Sequence, residues 1–185
     1  MTISNFESAC LRGVQSAFKT HYQFTGGLSL GNAPEAFIQG QIAFALSKLA
    51  YVTLESHVYE TLSEAGAETR GKAPRNKNGR IDLVTWWKKG TPRFLIEVKK
   101  LLHKEAITAD VKRLKQLLGR GGSTREGLVV AYVSAKKPAT INSRLLFAAD
   151  SSGAQLSKRT GPIPFVVLGS NTTWHYEAAC FRVRV

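Results

Sequence analysis

Three charged residues interrupt two apolar segments near the middle of the chain. Asp82 lies within GRIDLV, residues 79–84, and Glu97 and Lys99 lie within FLIEVK, residues 94–99. Both segments have the aliphatic, β-branched composition of strands, in which successive side chains point to opposite faces. Each charge therefore occupies a position where a sheet normally has an apolar side chain. The second segment is expected to place three residues on one face: Leu95, Glu97 and Lys99.

A turn between the two strands would bring these charges together. Residues 88–92, KKGTP, have the composition of a turn, so Asp82 is expected to lie beside Glu97. Two carboxylates about 4 Å apart repel each other by roughly 4 kcal/mol at an effective dielectric near 20. They therefore require a cation or a shared proton. A divalent cation with oxygen ligands meets this need, and Lys99 beside it is suited to hold an anion or a water molecule.

Strand alternation also makes a prediction for the first segment. Ile81 and Leu83 are expected to point to one face of the sheet, and Asp82 and Val84 to the other. Asp82 would then be a charged side chain that shares its face of the strand with the apolar Val84.

These residues resemble the metal-binding core of the PD-(D/E)xK nucleases. Asp82 followed by Glu97-Val98-Lys99 on the next strand matches the motif, and Ile81 stands where the motif has Pro. Members of this superfamily are phosphodiesterases with a restriction-endonuclease-like αβββαβ core. The resemblance, which covers residues 34–135, therefore implies an α/β fold with a mixed central sheet flanked by helices.

The resemblance also implies a role for each residue of the motif. Asp82 and Glu97 would bind Mg²⁺ or Mn²⁺ together with the backbone carbonyl of Val98. Lys99 would orient or help to deprotonate the attacking water and would offset negative charge in the transition state. These four residues are the core of the predicted catalytic and metal site.

Superfamily members commonly supply a further carboxylate from the helix before the first strand. Glu35 meets this expectation, because with Gln39 and Ile42 it lies on the buried side of a predicted helix. An acid near the positive N-terminus of a helix is also favourable without any catalytic role. Glu55, on the strand that precedes Asp82, is the alternative, and Glu35 is favoured.

Hydrophobic periodicity predicts the same order of elements independently of the motif. Helices are expected over residues 5–20, 32–49 and 107–118, and strands over 51–59, 79–84, 94–99 and 128–133. Beyond them we expect a short helix at 145–149 and two strands at 164–168 and 174–185. The chain is thus predicted to be a single nuclease-like domain, 1–185, with an N-terminal helix and loop (1–33), the αβββαβ core (34–135) and a C-terminal extension (136–185) packing on it.

The net charge indicates the class of partner. The 26 Lys and Arg residues exceed the 13 Asp and Glu residues, which leaves +13. Such an excess favours polyanions. The cations are spread over loops and several elements instead of forming one amphipathic helix, so we expect nucleic acid, DNA before RNA, and no membrane partner. The candidate contacts lie in the loop before Asp82 and on the helix at 107–118: Arg70, Lys72, Arg75, Lys77, Arg80, Lys112 and Gln116.

Two residue pairs outside the motif have less specific interpretations. One of Trp86 and Trp87 is expected to pack in the core, and the other is a candidate for stacking on a base. Cys10 and Cys180 indicate reduced residues of a cytoplasmic protein, with a bridge between them as the alternative.

The sequence therefore predicts a Mg²⁺- or Mn²⁺-dependent nuclease that hydrolyses phosphodiester bonds. The alternative is a catalytically inactive nuclease-like module that binds nucleic acid or a protein partner, because the third carboxylate is the least specific part of the motif. A homodimer is compatible with either prediction, and a Holliday-junction resolvase would require one.

Overall fold

The computed structural model describes residues 2–67, 79–100, 105–124 and 126–185. Within these residues a mixed, open sheet of seven strands has helices on both faces, so the expected α/β class is confirmed. The helices are α1 (Ile3–Phe24), α2 (Glu35–Ser47), α3 (Val58–Glu64), α4 (Glu105–Leu118) and α5 (Pro138–Ser152), with a short 3₁₀ turn at Leu30–Asn32. The strands are β1 (Tyr51–His57), β2 (Arg80–Trp86), β3 (Pro92–Lys100), β4 (Glu126–Ala135), β5 (Gln155–Arg159), β6 (Ile163–Val166) and β7 (Thr173–Arg184).

The strand order is β1-β2-β3-β4-β7-β5, and β6 also pairs with β7. β1, β2 and β3 form an antiparallel meander, whereas β3 and β4 are parallel. Parallel neighbours need a crossover connection, and α4 lies on the connection between them. The crossover brings α4 against the face of β3 that carries the charged residues.

Two apolar clusters cover the two faces of the sheet. One consists largely of residues from α1 and α2 packed on Phe94, Ile96 and Val98 of β3. The other joins α4 and α5 to the opposite face, where Leu95 is the β3 member. The apolar run of β4 is buried on both faces, as expected for a central strand. The charged side chains of β3, which share a face with Leu95, therefore lie at the edge of the apolar cluster that contains α4.

The prediction for the faces of β2 is wrong for Ile81, whereas Leu83 and Val84 lie on opposite faces as expected. Ile81 packs in the cluster with α4, whereas Leu83 packs in the cluster with α1 and α2. The backbone pairing of β2 with β3 ends at Leu83, and beyond it the carboxylate of Asp82 accepts the hydrogen bond of the Val98 N–H. A regular ladder would give this N–H to the carbonyl of Ile81. The side chain of Asp82 thus replaces a backbone partner, and the alternation of faces is lost at this point.

Predictions for the C-terminal third were incomplete. α5 has 15 residues and begins at Pro138, not at Leu145 as predicted. Proline suits the first turn of a helix because its φ is already helical, and Ile141 and Leu145 then form a buried stripe. β5 was not predicted, because its sequence QLSKR has little apolar content. Both elements pack on β7, which pairs with β4 over ten residues.

Two further findings concern covalent chemistry and membranes. Cys10 and Cys180 are both free and buried, so no bridge joins them. Burial raises the pKa of the Cys10 thiol to about 12, which keeps it protonated at neutral pH. Over the described part of the chain, the helices are too short or too polar to cross a membrane.

Candidate functional site

A cluster of charged side chains lies at the C-terminal end of β3, bordered by β2, α2 and α4. It brings together all four side chains that the sequence predicted for the site. It also contains an acid and a cation from α4 that the sequence analysis assigned no role. The cluster has four carboxylates and two cations: Glu35, Asp82, Glu97, Asp110, Lys99 and Arg113. The acids outnumber the cations here, although the chain as a whole carries +13.

Lys99 lies between two carboxylates from different helices. Its Nζ atom is 3.5 Å from Oε1 of Glu35 and 3.6 Å from Oδ2 of Asp110. Burial acts to lower the pKa of Lys99, but the surrounding carboxylates, first among them Asp110 and Glu35, outweigh it and raise that pKa. Lys99 therefore keeps its proton at neutral pH. It is suited to donate hydrogen bonds to a water molecule or a phosphate, and unsuited to act as a base.

Glu97 is a buried carboxylate whose negative charge is only partly compensated by its neighbours. The NH1 atom of Arg113 approaches its Oε1 atom to 3.2 Å, but this oxygen is buried and forms no hydrogen bond. Burial raises the pKa of Glu97 to about 8, and the nearby charge of Asp82 contributes to the increase despite the opposing effect of Arg113. An ionised carboxylate at this position requires more positive charge than the described residues supply.

Asp82 is held in place by the backbone of β3. Its Oδ2 atom accepts a hydrogen bond of 2.7 Å from the N–H of Val98. In a strand the N–H and C=O of one residue point to the same neighbouring strand. The Val98 carbonyl therefore points toward β2, to the side of β3 on which Asp82 lies, as a shared role in metal binding would require.

Asp110 is the acid that sequence reasoning missed. Its Oδ2 atom is buried and forms no hydrogen bond, and burial raises the pKa of this carboxyl group. The sequence did contain a signal, because Asp110 lies three residues after Ile107 and four before Leu114, within the buried stripe of α4. An acid in such a stripe needs a partner, which here is Lys99. One turn later on the same helix, Arg113 approaches Glu97.

The loop before α2 determines where Glu35 lies. The ammonium group of Lys100 donates hydrogen bonds to the carbonyls of Gly31 and Ala33, at 3.3 and 2.9 Å. These bonds attach the loop to the end of β3 and place the first residue of α2 beside Lys99. Glu55, the alternative acid, is exposed on the edge strand β1 and forms none of the ion pairs of the cluster described here.

The predicted nucleic-acid contacts are described only in part. Arg70, Lys72, Arg75 and Lys77 lie outside the described residues. Arg80 is exposed, and its backbone carbonyl accepts a hydrogen bond from the guanidinium group of Arg113. Lys112 and Gln116 line a surface cavity of about 520 Å³ between α4 and the end of α5, with three further residues: Thr108, Lys115 and Ser152. These positions remain predictions as nucleic-acid contacts.

The donor chemistry of the site suits a hard divalent cation. Among the described residues, no three His, Cys, Asp or Glu side chains are arranged to hold a metal ion. Mg²⁺, however, usually takes one or two protein carboxylates and keeps several water molecules. Two buried carboxylate oxygens form no hydrogen bond, one on Glu97 and one on Asp110, and each lies near a cation, Arg113 or Lys99. The residues present therefore fit a magnesium-type ion better than a zinc-type ion, which prefers nitrogen and sulfur ligands.

Comparison of the chain with protein-family models, with curated proteins and with solved structures found no match.

Proposed function

We propose that this chain is a Mg²⁺- or Mn²⁺-dependent nuclease of the PD-(D/E)xK type, with a restriction-endonuclease-like core, that hydrolyses phosphodiester bonds in DNA. The observation that carries the proposal is Glu97, a buried carboxylate without a hydrogen bond on Oε1, next to the backbone-anchored Asp82. The order α2, β1, α3, β2, β3, α4, β4, with β3 parallel to β4, supports it as well, since it is the αβββαβ order with the seven-residue helix α3 inserted after β1.

The proposed mechanism uses the cluster as follows. Asp82, Glu97 and the Val98 carbonyl would hold the metal ion, and Glu35 would support it from α2. The bound ion supplies an acidified water molecule and offsets charge on the phosphate. Lys99 donates hydrogen bonds to the attacking water or to a phosphate oxygen. The positive charge of the rest of the chain attracts the nucleic-acid backbone without reading its sequence.

The two cations near the acids have different roles in this mechanism. Lys99 stays protonated because Glu35 and Asp110 flank it, so its charge is available throughout the reaction. Arg113 compensates Glu97 only in part. With a metal ion bound beside Glu97, the guanidinium group of Arg113 would be needed less for compensation and would be free to contact a phosphate.

Digestion of plasmid and oligonucleotide substrates with Mg²⁺ or Mn²⁺ tests the proposal. Asp82→Asn and Lys99→Met should each lower the cleavage rate at least about 100-fold, because each removes a group that acts on the metal ion, the water or the phosphate. Glu35→Gln should lower the rate, and Glu55→Gln, the matched control for the alternative acid, should not. Undiminished cleavage by Asp82→Asn and Lys99→Met would reject the assignment.

The second candidate is a module that binds nucleic acid without cutting it. The observation that favours it is the contact of Arg113 with Glu97, since a fixed cation can take the place of a metal ion. Calorimetric titration with Mn²⁺ separates the two functions. A nuclease should show a divalent site that is lost in Asp82→Asn, whereas a binding module should show no such site and should still retain DNA.

A further inference from the structure

A second surface site lies at the opposite end of the β2–β3 hairpin. It is a groove of about 560 Å³ between the end of α2, the start of β1 and the hairpin turn. This volume is in the range of sites that hold a ligand-sized group. Six aromatic or basic residues define it, and we call it the hairpin groove: Lys48, Tyr51, Trp86, Trp87, Lys88 and Arg93.

The aromatic residues of the hairpin groove are held in place by different contacts. Trp86 is half-buried, and its Nε1 atom donates a hydrogen bond of 2.8 Å to Oγ1 of Thr53. Trp87 is 45% exposed and begins a tight turn, which Gly90 closes with a φ of +82°. Tyr51 is 68% exposed on the edge strand. Tyr51 and Trp87 therefore offer exposed ring surface to a ligand in the groove.

The charge of the hairpin groove is of one sign. Lys48, Lys88 and Arg93 contribute three cations, and none of the described residues that line the groove is acidic. The guanidinium group of Arg93 lies 3.8 Å from the centroid of the Trp87 ring, so cation and aromatic surface are adjacent. A ligand that fits both must carry a planar aromatic group next to an anion.

We propose that the hairpin groove binds a single-stranded segment of nucleic acid, with a base stacked on Tyr51 and its flanking phosphates near Lys48 and Lys88. The proposal rests on the nuclease function for its substrate class. Bases of an intact duplex are stacked on each other, so aromatic side chains reach them only in single strands. A lipid surface fits less well, because a flat membrane does not enter a concave groove.

The position of the groove relates it to the catalytic cluster. α2 begins at Glu35, beside Lys99, and ends at Ser47, which lines the groove. Twelve steps of about 1.5 Å along the helix separate these residues by about 18 Å. This distance corresponds to about five stacked nucleotides at roughly 3.4 Å each. A strand held in the groove can therefore extend to the acids, which makes the substrate one with a single-stranded portion, such as a flap, an overhang or a branch.

Fluorescence anisotropy with a labelled single-stranded oligonucleotide tests the inference. The measurement is made in EDTA, so that binding is read without cleavage. Tyr51→Leu should weaken binding at least about five-fold, the lower end of the effect of losing one base–aromatic stack. Tyr59→Leu, which alters a tyrosine that is 59% exposed and lies outside the groove, should leave the affinity unchanged. Lys88→Ala should weaken binding, and Lys89→Ala in the same turn should weaken it less.

Two further arms, an abasic strand and phosphatidylserine vesicles, decide between ligands. An abasic strand should bind the protein and Tyr51→Leu equally, because it offers no base to stack. If Tyr51→Leu weakened binding of the intact and the abasic oligonucleotide equally, the inference would be overturned. Unchanged affinity of both Tyr51→Leu and Lys88→Ala would also overturn it. Loss of binding to phosphatidylserine vesicles by the groove variants, with oligonucleotide binding intact, would overturn it in favour of a membrane surface. Because the assay needs no metal ion, its outcome is independent of whether Asp82→Asn abolishes cleavage.

Discussion

Glu97 and Glu177 are two fully buried glutamates on strands of one sheet, and they are compensated in different ways. Both Glu177 oxygens accept hydrogen bonds from Arg159, at 2.5 and 2.9 Å, and Arg159 in turn donates one to Asn142. Glu97 has only the approach of Arg113 at 3.2 Å, without a hydrogen bond on that oxygen. The hydrogen bond to Glu177 raises the pKa of Arg159, whereas burial raises the pKa of Glu97.

The difference separates a structural ion pair from a candidate functional group. A bidentate arginine hydrogen-bonds both oxygens of Glu177 and compensates its charge without a ligand. Glu97 keeps an oxygen that its surroundings do not satisfy, and it does so next to Asp82, Asp110 and Lys99. Such a site lowers the free energy of unfolding of the metal-free protein, and binding of a cation raises it. The following predictions test this contrast.

The largest expected effect is the dependence of stability on pH. The pKa of Glu97 is about 8 in the folded protein against an ordinary 4.5, so between these values the folded chain retains a proton that the unfolded chain has released. Stability contributed by this proton is complete below pH 4.5 and is lost as the pH rises through 8. The loss is on the order of 5 kcal/mol.

Urea denaturation in EDTA from pH 4.5 to 9 measures this loss. Glu97→Gln carries no titrating group at this position, so its free energy of unfolding should fall less over the same range than that of the wild type. If the free energy of unfolding fell equally with pH in the two proteins, the pKa of Glu97 would not be raised.

The next effect concerns the other glutamate. Arg159→Met should lower the free energy of unfolding at pH 7 by about 3–5 kcal/mol, because it leaves the carboxylate of Glu177 buried without its partner. Arg113→Met should cost less, since Glu97, with a pKa of about 8, already holds a proton at pH 7. Chemical denaturation of both variants provides the comparison. Equal losses would remove the distinction between the two glutamates.

Addition of metal should act on one site only. Mg²⁺ or Mn²⁺ at about 100 times its dissociation constant should stabilise the wild type by about 2.7 kcal/mol. A thermal shift assay should show this gain in wild type and in Glu177→Gln, the buried control, but not in Asp82→Asn. A metal-induced shift that survives in Asp82→Asn would place the ion elsewhere.

The smallest effect concerns the support of the site. Lys100→Met should cost about 1–2 kcal/mol, because it removes the hydrogen bonds to Gly31 and Ala33. Lys89→Met, at an exposed turn position, should change stability by less than about 0.5 kcal/mol. Cleavage by Lys100→Met should fall together with that of Glu35→Gln, since both disturb the carboxylate beside Lys99. Full cleavage activity in Lys100→Met would show that the loop before α2 is not needed to position the carboxylate beside Lys99.

The sequence by itself determined the α/β class, the hairpin and the meeting of Asp82, Glu97 and Lys99. These features depend on local patterns, namely apolar runs, strand alternation and a turn between two strands, and such patterns are legible over a few residues. The length of α5 was underestimated because Ile141 is the one large apolar residue in its first seven positions, before Leu145. Weakly apolar β5 gave no signal at all, since only its pairing with β7 makes it a strand.

Only the tertiary structure decided how the charges are shared. The crossover places Asp110 and Arg113 of α4 against Lys99 and Glu97, and Lys100 anchors the loop that brings Glu35 to the same point. Contacts between residues so far apart in sequence depend on packing, which no local pattern encodes. For the same reason, the bidentate partner of Glu177 and the missing hydrogen bond of Glu97 became apparent only when both glutamates were seen in the folded sheet.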